Sequence, residues 1–103
     1  MIGIQHSWMD LMKIRRGDLI LVDLNPRRGH EFQKTRPSVV VSNDIANRYS
    51  SLITIVPVTS QKTERVLRIE VAISKRKGLA KDSKALVDQI RTIDRSRIVK
   101  ILG

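Results

Sequence analysis

RPSVVVSNDIANRYSSLITIVPVT, residues 36–59, holds the order of elements that decides the fold. Three successive valines at 39–41 favour extended backbone, because a branched Cβ is crowded in a helix and packs well on a pleated surface. Pro37 opens that strand, read over 38–42. Residues 42–44 then supply N-cap side chains, so one short helix is expected over 44–49. Leu52–Thr59 is a second apolar run in this stretch, rich in β-branched residues, and reads as the third strand of the chain. Strand, short helix and strand within 24 residues leave no room for long helices in this part of the molecule.

The flanks continue the pattern. Residues 19–24 form a short, nearly continuous apolar run, consistent with a strand buried on both faces, and Asn25-Pro26 ends it. Residues 27–35 read as a polar loop. Residues 66–73 alternate, with Leu67, Ile69, Val71 and Ile73 facing one way and Arg68 and Glu70 the other, as in a half-buried antiparallel strand. Lys75-Arg76-Lys77-Gly78 is a charged turn. Residues 85–93 read as one further strand and 98–102 as a last apolar piece. The expected fold is mainly β: a small SH3-like barrel of five to six antiparallel strands with one short helix. Residues 13–103 form a single domain. Residues 1–12 lack either hydrophobic period and read as an N-terminal extension, with Met12 a candidate natural start.

Composition narrows the function classes. Val, Ile and Leu number 32 of 103 residues, enough for a core. Cysteine is absent, which excludes disulfides and thiolate metal sites. No apolar run approaches the length of a membrane span. His6 and His30 have no metal-ligand spacing, and no phosphate-binding glycine loop or nucleophile elbow is present. The formal net charge is +10, and residues 53–103 carry 12 basic against 5 acidic side chains. Such a surface points to a polyanion. With Trp8, Phe32 and Tyr49 as the only aromatics, recognition would rest on phosphate contacts and a formed groove rather than on base stacking.

Several short motifs stand in order along the chain: Arg16-Gly17-Asp18, Asp23-Leu24-Asn25-Pro26, Gly29-His30-Glu31, Thr35-Arg36-Pro37, Pro57-Val58-Thr59-Ser60 and the run from Asp88 to Asp94, DQIRTID. Each is weak alone. Together, over residues 13–102, the chain resembles the MazF/PemK/Kid family of toxin endoribonucleases from type II toxin–antitoxin systems. The resemblance implies an SH3-like barrel, a cytoplasmic homodimer, metal- and cofactor-independent cleavage of single-stranded RNA, and silencing by an acidic antitoxin that binds in the same groove. It implies Arg36 and Thr59 as catalytic residues, with His30 and Glu31 as further candidates. Arg27, Arg28, Lys34, Ser60, Gln61, Lys62, Asp88, Gln89 and Arg91 are the implied RNA-binding set. A second catalytic set known in the PemK/Kid branch is incomplete here, because Leu86 stands where that set has arginine. Family members continue into a C-terminal helix where this sequence stops, at Gly103, so that helix is expected to be missing. Two alternatives stay open: a non-nucleolytic, CcdB-like gyrase poison, and an inactive truncated RNA-binding relative.

Overall fold

One strand, Leu52–Thr59, organises the molecule. The computed structural model describes residues 13–25, 35–61, 63, 66–67, 70–75 and 78–103. In chain order these form β1 (Leu19–Asp23), β2 (Thr35–Val40), helix α1 (Asp44–Tyr49), β3 (Leu52–Thr59), β4 (Glu70–Ile73), β5 (Ser83–Leu86), β6 (Arg91–Asp94) and β7 (Ile98–Ile101). Single 3-10 turns lie at Val87–Gln89 and Arg95–Arg97. Every strand pair is antiparallel. The sheet runs β4-β5-β3-β2-β1-β7, with β6 also on β3, and among the described residues it does not close into a ring. This is the mainly β, one-helix architecture read from the sequence. The expected N-terminal extension over 1–12 and the polar loop lie outside the described residues, apart from Thr35 at the loop's end.

Among the described residues seven strands appear where five to six were expected, because residues 85–93 are not one strand. They run along a single edge of β3, but Ala85 faces Val58 while Arg91 faces Ile55. Six steps of one chain are set against three of the other, and the surplus is taken up by the turn at Val87–Gln89. Pro57 explains why β3 tolerates the interruption. The Thr54 carbonyl accepts the Val41 N–H on the β2 side. Strand alternation sends the ring nitrogen of Pro57 to the opposite edge, where that turn interrupts the ladder, so its missing donor breaks no rung.

β3 separates two apolar clusters. Ile53 and Ile55 pack with Ile14, Ile20, Val22, Val40, Ile93 and Ile98. Val56 and Val58 pack with Leu19, Leu79 and Ala85. β1 divides in the same way, Ile20 and Val22 against Leu19, as expected for a continuous apolar run buried on both faces.

A buried amide fixes α1 between β2 and β3. Asn43 is its N-cap and accepts the Ala46 N–H at 2.8 Å. Asn47 is wholly buried. Its Nδ2 donates to the Ser42 carbonyl at 2.8 Å and to Asp44 at 3.1 Å, and its Oδ1 accepts the Ser42 hydroxyl. Arg95, also buried, donates to the carbonyls of Asn47 and Ser50 at the helix end.

β4 departs from the alternation reading. Val71 and Leu67 are about half exposed, whereas the side chain of Glu70 is only 8% exposed. The cause is Lys84 on β5, whose ammonium lies 2.9 Å from the Glu70 carboxylate. The Glu70 side of this edge strand is covered by an ion pair, and Val71 looks outward, while Ile73 still packs against the second apolar cluster. Arg68 and Ile69 lie outside the described residues.

Candidate active site

Pro37 decides where the sheet opens. The Val40 N–H donates to the Asp18 carbonyl on the β1 side. By alternation the ring nitrogen of Pro37 therefore faces β3, where it has no hydrogen to give. The paired stretch of β2 and β3 accordingly ends at Ser38 and Pro57. On the other edge β2 stays paired to its start, Arg36 against Val22 and Thr35 against Asp23. β2 thus begins three residues earlier than the valine run indicated, and Arg36 sits on a held strand.

A cleft of about 640 Å³ opens at that ladder end. Thr35, Arg36 and Pro37 form one wall, and Val58, Thr59, Ser60 and Gln61 a second. The third, Gly78 to Lys81 with Ser83, comes from the β4–β5 connection. The size falls within the ~300–1,000 Å³ typical of ligand pockets.

Arg36 is exposed, and no hydrogen bond or ion pair of its guanidinium occurs among the described residues. Five donors on a planar fork are available to an anion. Thr59 stands opposite Lys84 on β5. Its hydroxyl oxygen accepts the Gln61 N–H at 3.2 Å, which leaves the hydroxyl proton to donate elsewhere. By alternation from Val40 and Ile55, Arg36 and Thr59 share the face of the sheet that carries the first apolar cluster.

The remaining expected residues divide. Ser60 and Gln61 join Arg36 and Thr59 in the cleft. Asp88 and Gln89 are exposed on the 3-10 turn, and Arg91 is exposed at the start of β6; none of the three lines the cleft. Arg91 does share the face of Thr59, opposite Ile55. Arg27, Arg28, His30, Glu31, Lys34 and Lys62 lie outside the described residues. Three other cations are committed to the fold. Arg95 caps α1, and burial lowers its pKa from the ordinary value. Arg97 donates to the carbonyls of Asp23 and Asn25 where β1 ends, and Lys84 holds Glu70. The Leu67 N–H and then Lys84 lower the Glu70 pKa.

Sequence reasoning missed the third wall. Lys81 and Ser83 belong to no motif, and the charged turn beside them reads as an ordinary connection. The one local signal is Gly78, whose φ of +92° and tight packing against Leu102 pin that connection to the body of the protein.

The fold and the cleft are those of a small, basic, antiparallel β protein in which Arg36, with no side-chain partner among the described residues, and the Thr59 hydroxyl meet at one ladder end. The family is settled by comparison with known proteins. Residues 15–103 match the model of the PemK-like, MazF-like toxins of type II toxin–antitoxin systems, and the chain belongs to that family. It also resembles solved structures. MazF from Deinococcus radiodurans is 28% identical, with a TM-score of 0.63 over 87% of this chain and 82% of that one. A MazE–MazF structure from the same organism is 28% identical, with a TM-score of 0.64 over 87% and 81%. A mycobacterial endoribonuclease in complex with its cognate antitoxin shares the fold at 23% identity, with a TM-score of 0.70 over 87% and 77%.

Proposed function

We propose that this chain is the toxin of a toxin–antitoxin pair, a sequence-specific endoribonuclease that cuts single-stranded RNA in the cytoplasm. The observation that carries this reading is the joint presence of Arg36 and Thr59 in one cleft, the first with no partner among the described residues and the second with its hydroxyl proton unspent.

The ribose 2′-oxygen attacks the adjacent phosphorus. A 2′-oxygen–phosphorus bond forms and the bond from phosphorus to the 5′-oxygen breaks. The 2′-hydroxyl proton passes to a base, and the leaving oxygen takes up a proton. The products carry a 2′,3′-cyclic phosphate and a 5′-hydroxyl. Arg36 neutralises the charge that grows on the non-bridging oxygens, and Thr59 donates to one of them and holds the phosphate in line. Because the nucleophile is part of the substrate, no metal-activated water is required. DNA, without that hydroxyl, is not cut. His30 and Glu31, on the segment that leads into β2, are the candidates for proton transfer and for orienting Arg36.

Ser60, Gln61 and Lys62 border the substrate beyond Thr59. Arg91 and Gln89, with Asp88, extend its path along β3, and Arg27, Arg28 and Lys34 flank it. The partner is an acidic antitoxin competing for the same basic groove; relatives of this chain have been solved with antitoxins bound. The working form is a homodimer. The test is incubation of the purified chain with a long mixed-sequence RNA in EDTA, beside Arg36→Ala, with mapping of the new ends. Discrete cuts bearing cyclic phosphates and absent from the variant are expected. A folded protein that makes no cuts overturns the nuclease and leaves a non-nucleolytic toxin.

A further inference from the structure

We infer that Lys81 is a substrate-binding residue: from the β4–β5 connection it supplies a second cation to the Arg36/Thr59 cleft and binds an RNA phosphate adjacent to the one that reacts. The inference rests on the nuclease reading for the identity of the polyanion, but on separate residues for the contact.

Three observations place it. Lys81 lines the cleft on the wall formed by residues 78–83, together with Ser83 and across from the strand that carries Arg36. Its side chain is exposed and has no ion pair or hydrogen bond among the described residues, unlike Lys84, Arg95 and Arg97, which the fold consumes. Its backbone is held firmly from both sides. The Ser83 hydroxyl donates to the Lys81 carbonyl at 3.0 Å, and Asp82 accepts the Lys75 N–H at 2.6 Å, which closes the connection on itself. At the far end Gly78 packs directly on Leu102 and Leu19. With the backbone of this wall already held, only the lysine side chain has order to lose when an anion arrives.

The chemistry favours a phosphate over a base as its ligand. An ammonium is a compact point charge with three rotatable donors, suited to phosphate oxygens and poor at reading base edges. A single-stranded polyanion held at Arg36 must carry its next phosphate out of the cleft, and Lys81 lies on the wall it passes. The contact therefore contributes affinity and positioning, with little effect on sequence choice.

The experiment compares wild type, Lys81→Gln and Lys81→Arg by fluorescence anisotropy. The probe is a mixed-sequence single-stranded RNA with every ribose 2′-O-methylated so that it cannot be cut, titrated across a range of NaCl concentrations. Cleavage of unmodified RNA is followed in parallel. Lys81→Gln is expected to bind about three- to tenfold more weakly, to a similar degree for all sequences, with its log K against log salt slope reduced by about 0.7. Lys81→Arg is expected to restore both. The set of cleavage sites is expected to stay the same. If wild type cleaves while Lys81→Gln binds with unchanged affinity and slope, the inference is overturned and the nuclease reading survives. If wild type binds and Lys81→Gln reduces the slope, but nothing is cut, the nuclease reading fails and the contact stands. If wild type neither binds nor cuts, both fall. Melting temperatures that match within the series exclude a folding defect.

Discussion

The hydroxyl oxygen of Thr59 accepts the backbone N–H of Gln61 at 3.2 Å, so the side chain that faces the cleft is fixed by its own turn before any ligand arrives. A valine has the same shape and neither the acceptor nor the donor. Thr59→Val is expected to lower the single-turnover cleavage rate by about 10²-fold, the usual cost of one donor to a developing oxyanion. Thr59→Ser keeps both functions and is expected to retain most of the rate. Quench-flow or gel assays on a short RNA containing a mapped site measure the pair.

Arg36 invites a test of geometry rather than of charge. Lysine preserves the positive charge but replaces a planar fork by a point. If Arg36 stabilises two phosphate oxygens in the transition state, Arg36→Lys should reduce kcat by about 10²-fold and change KM by less than about threefold. A rise in KM with kcat preserved would mean that Arg36 only holds the RNA in its ground state.

The strands were legible because their apolar patterns are strong, and the helix because Ser42, Asn43 and Asp44 announce it. Three features were not. The break at Val87–Gln89 interrupts a run in which Ala85, Leu86 and Val87 read as continuous strand; only the register against β3 requires the extra residues. The outward turn of Val71 follows from a partner 14 positions away, Lys84 reaching Glu70, and no local pattern carries such a pair. The roles of the cations were also hidden. Arg36, Arg95 and Arg97 are the same residue type at strand or turn positions, yet two are committed to backbone carbonyls and the first has no side-chain partner among the described residues. The motifs name Arg36 and Thr59 as candidates, whereas no motif contains Lys81, which lines the same cleft only because the β4–β5 connection folds against them.

Asp44 ties the segment before β1 to α1 and makes stability depend on acid. Its carboxylate accepts the Arg16 N–H at 2.7 Å and the Asn47 amide at 3.1 Å. The Arg16 N–H, then Asn47, hold its pKa below the ordinary 3.8. A carboxyl whose folded pKa is depressed stabilises the fold in its charged form. That stability is present above the unfolded value and disappears as pH falls through the folded one. Asp44→Asn should therefore melt below wild type at pH 7, and the gap should start to narrow as pH drops below the ordinary carboxylate value and close only once pH has fallen below the lowered folded value, where the wild-type carboxyl is itself protonated. A gap that does not change between pH 7 and pH 3 would assign the loss to shape instead of charge.

Two glycines with left-handed backbone among the described residues separate strain from packing. Gly17 has φ +94° and nothing within 4 Å of an added Cβ. Gly78 has φ +92°, and its added Cβ would meet the Leu102 carbonyl oxygen at 2.9 Å and Leu19 at 3.0 Å. Gly17→Ala therefore incurs the conformational cost alone, about 1 kcal/mol. Gly78→Ala adds an overpacking cost of about 1–3 kcal/mol, because backbone has to move. At about 4–8 °C per kcal/mol for a domain of this size, the second variant should melt well below the first in thermal denaturation. Equal melting temperatures would mean that the connection carrying Lys81 moves away from Leu102 at little cost, and that this wall of the cleft is softer than its contacts indicate.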